Sequence, residues 1–315
     1  NPIVIDGVLY ATSPRLKVFA LDAATGAEKW IFDPYKDGGR PGASVNRGLA
    51  FWSDGDDERI LSTAGPYLYA LDAKKGQPCR EFGEDGRVDL RDGLGRDASR
   101  LSVSANTPGI VYENLLILGA RVSENLPAAP GHIRAFDVRT GAIAWMFRTV
   151  PEPGDFGHDT WPEDAYLRTG GANAWAGMSL DRERGIVYAP TGSAAYDFYG
   201  GDRKGKNLFA NSMLALDAKT GKYIWHFQMV HHDMWDRDLP APPNLITLKK
   251  DGVEVDAVAQ ITKSGHVFIF DRVTSEPFFP IEEVPYPPSD LPGEEAWPTQ
   301  PLPSKPMSRT TPSSK

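Results

Sequence analysis

Apolar and polar residues alternate along this chain in short runs that return in a fixed order. KVFALD, LYALD, HIRAFD, SMLALD and HVFIFD carry the two-residue period of a half-buried strand. Each ends in an aspartate and enters one recurrent phrase: LDAATGAEKW (21–30), LDAKKGQPCR (71–80), FDVRTGAIAW (136–145), LDAKTGKYIW (216–225) and FDRVTSEPFF (270–279). Asp22, Asp72, Asp137, Asp217 and Asp271 each stand eight positions before a bulky residue, namely Trp30, Arg80, Trp145, Trp225 and Phe279. Glycine lies four positions before that residue in every copy but the last, where Ser275 replaces it. The spacing predicts a hairpin: the aspartate side chain opens the turn, glycine supplies the positive φ that closes it, and EKWIFD, AIAWMF or KYIWHF returns.

A further apolar strand precedes the copies (GVLYAT, RILSTA, LLILGA, IVYAPTG, AVAQIT), and a fourth, such as RGLAFW or AWAGMSLD, can be placed ahead of several of those. Four antiparallel strands per unit, repeated in series, describe the blades of a β-propeller. The aspartates are separated by 50, 65, 80 and 54 residues, so the connecting loops are of unequal length. A β-sandwich has no reason to repeat a turn-plus-tryptophan phrase. The expected fold is therefore all-β, with about five blades over residues 1–280 and an extended, proline-rich tail over 281–315. In this frame Trp30, Trp145 and Trp225 are structural residues packed between blades.

Composition narrows the function. The chain has 315 residues, and its 31 glycines and 27 prolines fit a fold rich in turns. The formal charge of −8 argues against a nucleic-acid partner, which needs clustered lysine and arginine. A single cysteine, Cys79, excludes an intrachain disulfide and a cysteine-based metal site. No window approaches 18 apolar residues, the length of a membrane-spanning helix. The first residues, NPIVIDGVLYAT, already read as strands, so a mature product or a fragment is expected, with a fragment preferred.

If the strands of each blade are lettered A to D, the aspartate–glycine turns join C to D and share one end of the fold. The unusual residues fall at the other end. Arg47 (SVNRGLAFW) and Asp233 (VHHDMWDRD) follow D strands, whereas Glu124 and Asn125 (GARVSENLPAAPGH) and Lys263 (ITKSGHVF) lie between B and C. Loops gathered at one end of a scaffold make the candidate site. Each residue also has a plainer reading: Arg47 as a surface ion pair, Glu124 as a solvated carboxylate, and Asp233, Asp236 and Asp238 as turn formers before LPAPP. His231 and His232 are adjacent on an extended chain and point oppositely, so joint ligation of a metal is not expected.

The repeat together with SVNRGLAFW, HHDMWDRDLPAPP and TKSGHVFIFDR resembles the catalytic propeller of dehydrogenases dependent on pyrroloquinoline quinone, an eight-bladed fold, and the glucose or sugar branch most of all. The resemblance implies oxidation of a sugar or polyol hydroxyl, with a quinone or cytochrome as electron acceptor and Ca2+ or Mg2+ bound beside the cofactor. It implies Asp233 as general base and metal neighbour, Arg47 and Lys263 as cofactor contacts, and Trp175 (NAWAGMSLD) as the floor under the cofactor ring. Glu124 and Asn125 are matched to the metal, and Thr107 (SANTPGI) to the cofactor face. A hard cation wants such carboxylate and amide oxygens, and Lys263 offers positive charge where negative charge develops. A periplasmic or periplasm-facing, membrane-associated location follows from the same resemblance.

Three departures qualify it. GRPG (39–42) has no cysteine where alcohol-oxidising members carry an adjacent pair, which favours the sugar branch. Ser193 follows PTG where those members place a metal-binding asparagine. After Phe279 the chain runs into IEEVPYPPSDLPGEEAWPTQPLPSKPMSRTTPSSK without another repeat, so a partial propeller is expected, with self-association or a partner chain. Alternative readings are a quinoprotein alcohol dehydrogenase, an inactive fragment, and a non-catalytic propeller scaffold that binds proteins.

Overall fold

The computed structural model describes residues 1–39 and 45–305, and the sheets within them follow the repeat. The first blade is a meander of Ile3–Ile5, Val8–Thr12, Val18–Asp22 and Glu28–Phe32. The second comprises Ala50–Asp54, Asp57–Ala64, Tyr67–Asp72 and Arg87–Asp89, and the third Ile110–Tyr112, Leu115–Leu118, Ile133–Asp137 and Ile143–Phe147. The fourth is Ser179–Asp181, Ile186–Pro190, Ser212–Asp217 and Tyr223–Gln228. The fifth has three strands, Asn244–Lys250, Val253–Ile261 and Val267–Asp271, with Phe278 N–H bonding back to the Ile269 carbonyl at 2.8 Å.

The five turns share one geometry. Asp22 Oδ1 accepts from the Ala24 and Thr25 amides at 3.2 and 2.8 Å, and Asp217 Oδ1 accepts from Lys219 and Thr220 at 3.1 and 2.7 Å. Asp72, Asp137 and Asp271 repeat the pattern. The fourth residue after each aspartate lies in the left-handed region, including Ser275 at φ 63°.

The tryptophans dock each blade on the next, as expected. Trp30, Trp145 and Trp225 donate from Nε1 to the carbonyls of Ala73, Ala218 and Arg272 at 2.9, 3.2 and 3.0 Å, each acceptor lying one residue past the next blade's turn aspartate. Each indole buries ~150–250 Å², or ~4–6 kcal/mol of gross apolar transfer. Glycine in the turn is required by the stacking: a Cβ on Gly221 would sit 2.4 Å from the Trp145 ring. Gly221→Ala is therefore expected to cost ~2–4 kcal/mol in urea unfolding, whereas Gly252→Ala, with a similar φ and nothing within 4 Å, costs only ~1 kcal/mol.

The junction between blades two and three has Arg80 at the tryptophan position, and a different device replaces the indole. Arg59, 4% exposed, donates to the Val138 and Arg139 carbonyls at 3.2 and 2.9 Å, and Val88 fills the space against Gly141.

Within the stretch expected to be an extended tail, Ile281–Pro285 and Thr299–Pro303 pair as a hairpin. Ladder bonds at Tyr286 to Pro298 and Ser304 to Pro280 place Pro285, Pro301 and Pro303 at the alternate positions, where a missing N–H costs nothing. The hairpin is fastened to the His231 loop: Gln300 accepts from His231 N–H at 2.8 Å and donates to its carbonyl at 2.7 Å.

His132, just before the Ile133–Asp137 strand, accepts the Thr149 N–H on Nδ1 at 3.2 Å and is 4% exposed. Burial, and then the charges of Arg134, Arg148 and Arg96, push its pKa down to about 3. A depressed histidine binds protons in the unfolded chain before it binds them in the folded one. Its contribution is thus present above the ordinary value near 6.5 and is lost as pH falls toward about 3. The melting temperature is expected to drop on acidification through that window, and less steeply in His132→Asn.

Candidate functional site

The loops that follow D strands, and those between B and C, meet at the end of the fold opposite the aspartate–glycine turns. There they enclose a cavity of about 240 Å³ whose wall includes Arg47, Glu124, Trp175 and Lys263, four of the residues singled out in the sequence. Trp175 is the flat part of the wall. The Arg47 guanidinium lies 5.3 Å from its ring centroid and Lys263 Nζ 5.8 Å.

Lys263 is fixed by carboxylates, with Nζ 2.6 Å from Asp236 Oδ1 and 3.0 Å from Asp238 Oδ2. Burial opposes its charge, but these two partners prevail and its pKa is raised. Asp238 is fully engaged: Oδ2 also accepts from Trp175 Nε1 at 3.0 Å, and Oδ1 accepts from Ser193 N–H at 2.6 Å. Gly192 permits this approach, since a Cβ there would meet Asp238 Oδ1 at 2.6 Å. Asp236 lies against the Asp238 carboxyl, has one oxygen that accepts from no donor among the described residues, and holds φ 54°, a left-handed conformation that costs ~1–3 kcal/mol and tends to mark functional loops. Burial raises its pKa, with Asp238 adding to the effect and Lys263 opposing it.

Two further carboxylates, Asp197 and Glu124, line the cavity and have no side-chain hydrogen bond among the described residues. Burial, and then Asp238, Glu124 and Asp236, push Asp197 up to about 7. Lys263 is engaged by Asp236 and Asp238, and the oxygens of Asp197 and Glu124 are hard donors suited to a divalent cation. Among the described residues, no three His, Cys, Asp or Glu side chains are already grouped as ligands. Arg47, Arg121, Lys263, Asn106 and the indole face fit a flat, anionic cofactor.

The geometry places three of the expected site residues outside the cavity wall. Asp233 does not face the cavity: it is 2% exposed, and its carboxylate accepts from Asn211 Nδ2 at 3.0 Å, Arg237 N–H at 2.6 Å, Trp235 N–H at 3.1 Å and the Ser193 hydroxyl. These bonds knit the loop of Asp233 to Ser193 and Asn211. Asn125 faces an adjoining depression rather than the cavity. Thr107 is buried beside Gly177 and does not reach the cavity wall. The histidines brace the loop: His231 contacts Gln228 and Glu283 at 2.7 and 2.9 Å, and His232 Nδ1 contacts the Gly205 carbonyl at 2.7 Å. The cysteine-free GRPG segment lies outside the described residues apart from Gly39.

Asp197 does not stand out in the sequence, and Asp236 and Asp238 read there only as turn formers before LPAPP. The last two carried a signal, because residues two apart on extended backbone share a face.

A propeller with a lysine, arginines, an indole floor and unpaired carboxylates in one loop-end cavity defines the class. The chain belongs to the PQQ family described as glucose/ethanol/alcohol dehydrogenase, beta-propeller domain, whose model matches residues 1–315. It is 35% identical to a quinoprotein glucose dehydrogenase of Gluconobacter oxydans, over 96% of this chain and 40% of that protein. It is 34% identical to a glycerol dehydrogenase large subunit of the same species, over 96% of this chain and 42% of that one. A solved quinohemoprotein alcohol dehydrogenase from Pseudomonas putida superposes with a TM-score of 0.75 at 31% identity, covering 89% of this chain and 42% of its own. The chain thus spans about two-fifths of the length of these relatives. No helix among the described residues is long and apolar enough to cross a membrane.

Proposed function

We propose that the chain forms the cofactor-and-substrate portion of a quinoprotein dehydrogenase that oxidises a hydroxyl of a sugar or polyol. The observation that carries the reading is Lys263, locked by Asp236 and Asp238 beside the Trp175 indole in one cavity. Pyrroloquinoline quinone would lie against Trp175, with Arg47, Arg121 and Lys263 toward its oxygens. Ca2+ or Mg2+ would be held by Glu124 and Asp197. When bound, the quinone supplies a two-electron acceptor and the cation the Lewis acid that polarises it.

The protein's own part is positional and electrostatic. Asp236, its pKa raised and one oxygen free, takes the proton of the substrate hydroxyl. Lys263 holds positive charge in the cavity wall where negative charge develops, and it needs no rearrangement to do so because two carboxylates fix it. Asp233 and Ser193 hold the loop that carries Asp236. The electrons would pass to a quinone or cytochrome, and the family reading implies a periplasmic or periplasm-facing location.

Reconstitution with pyrroloquinoline quinone and CaCl2, followed by dye reduction with glucose, glycerol and ethanol, tests the proposal. Reduction with glucose or glycerol above ethanol is expected. Ethanol as the preferred substrate would favour the alcohol branch, and binding of no cofactor would favour a scaffold.

A further inference from the structure

Beside the cavity lies an open depression of about 400 Å³ that shares Glu124 and Asp197 with it and is otherwise lined by Asn125, Tyr196, Phe198 and Tyr199. Phe198 is 68% exposed, an unusual place for a phenyl ring on a loop held so firmly. The Tyr196 carbonyl accepts from the fully buried Arg203 at 2.9 Å, and the Asp197 carbonyl accepts from Asp236 N–H at 3.2 Å. Gly200 N–H donates to Glu294 at 2.9 Å, and the Tyr199 hydroxyl donates to the Pro292 carbonyl at 3.2 Å, both on the segment that joins the two strands of the 281–303 hairpin. The loop is therefore anchored on each side of Phe198, and the ring is presented rather than left over.

We propose that this depression is a subsite for the ring of a pyranose or cyclic polyol, with Phe198 and its neighbouring tyrosines as the platform and Asn125 as a hydroxyl partner; the proposal rests on the dehydrogenase reading above. The electron-rich face of an aromatic ring attracts the slightly positive C–H face of a sugar, while amide and carboxylate groups at the rim engage its hydroxyls. Ligand sites combine such apolar walls with a few convergent polar groups, at volumes of ~300–1,000 Å³. Continuity through Asp197 and Glu124 lets one hydroxyl of a ring seated here reach the cavity that holds Asp236. A short aliphatic alcohol has no ring face to stack, so the subsite selects for cyclic substrates.

The test uses the full chain, with saturation-transfer NMR of glucose and, separately, a fluorescence titration with pyrroloquinoline quinone. Glucose C–H protons are expected to receive saturation. Phe198→Ala should bind glucose about 2- to 10-fold more weakly, Phe198→Tyr should restore binding, and neither should alter cofactor affinity. At 68% exposure the ring contributes little to folding. Equal glucose binding by Phe198→Ala and the parent would overturn the subsite, as would a parent that binds the cofactor and no glucose. Glucose binding without cofactor binding would support the subsite and count against the dehydrogenase reading alone.

Discussion

Asp236→Asn is expected to lower dye-linked turnover by ~10²–10⁴-fold while the protein still binds cofactor and melts no lower than the parent. Asp236 is the cavity carboxylate that combines a free oxygen, contact with Lys263 and a pKa raised by burial. Its charge adds no net stability to the fold, so the amide removes a proton acceptor without loosening the structure. Asp233→Asn should behave in the opposite sense. An amide there turns an NH2 toward groups that already donate to Asp233, from Ser193, Asn211, Trp235 and Arg237, at a cost of ~1–3 kcal/mol. Its signature is a lowered melting temperature, with any loss of turnover following the loss of folded protein. A large kinetic defect in a fully stable Asp233→Asn, with Asp236→Asn active, would reverse the assignment.

Lys263→Met carries the second large effect. It leaves Asp236 and Asp238 without their shared cation, in a cavity that also holds Asp197 and Glu124. Turnover should fall by about 10²-fold or more, the scale of one lost electrostatic contact to developing charge. Stability should also become pH-dependent. Without the lysine the folded pKa of Asp236 rises further above its unfolded value, so the fold keeps its stability at low pH and loses it as pH climbs through that pKa. The gap in melting temperature between parent and variant is thus expected to widen from pH 5 to pH 8. Added Ca2+ should narrow it at pH 8, because the variant cavity is left more negative.

The blades could be read from the sequence because their information is local. An aspartate accepting the next two or three amides, and a left-handed residue four positions on, are properties of a few consecutive residues, and the tryptophans dock at a constant offset from that turn. Arg59 standing in for an indole could not be read, since its acceptors at Val138 and Arg139 lie in the next blade. The face carrying Arg47, Glu124 and Lys263 followed from counting strands, and Trp175 came from the family resemblance. The placement of Asp236 rather than Asp233 on the cavity wall could not be read, because two non-glycine residues, His232 at φ 44° and Asp236 at φ 54°, turn the backbone within the loop. Asp197 belongs to a long inter-strand loop, and its proximity to Glu124 and Asp238 is purely tertiary.

We propose above all that this cavity holds a flat, anionic quinone against the Trp175 indole, with Lys263 toward its oxygens. The most direct measurement is a titration of the chain with pyrroloquinoline quinone in CaCl2, read as tryptophan quenching. Saturable quenching in the parent, weakened at least about 10-fold in Lys263→Met by the loss of a charged contact worth ~1.5–3 kcal/mol, is the predicted result. Quenching that does not saturate, or that is the same in Lys263→Met as in the parent, would contradict it.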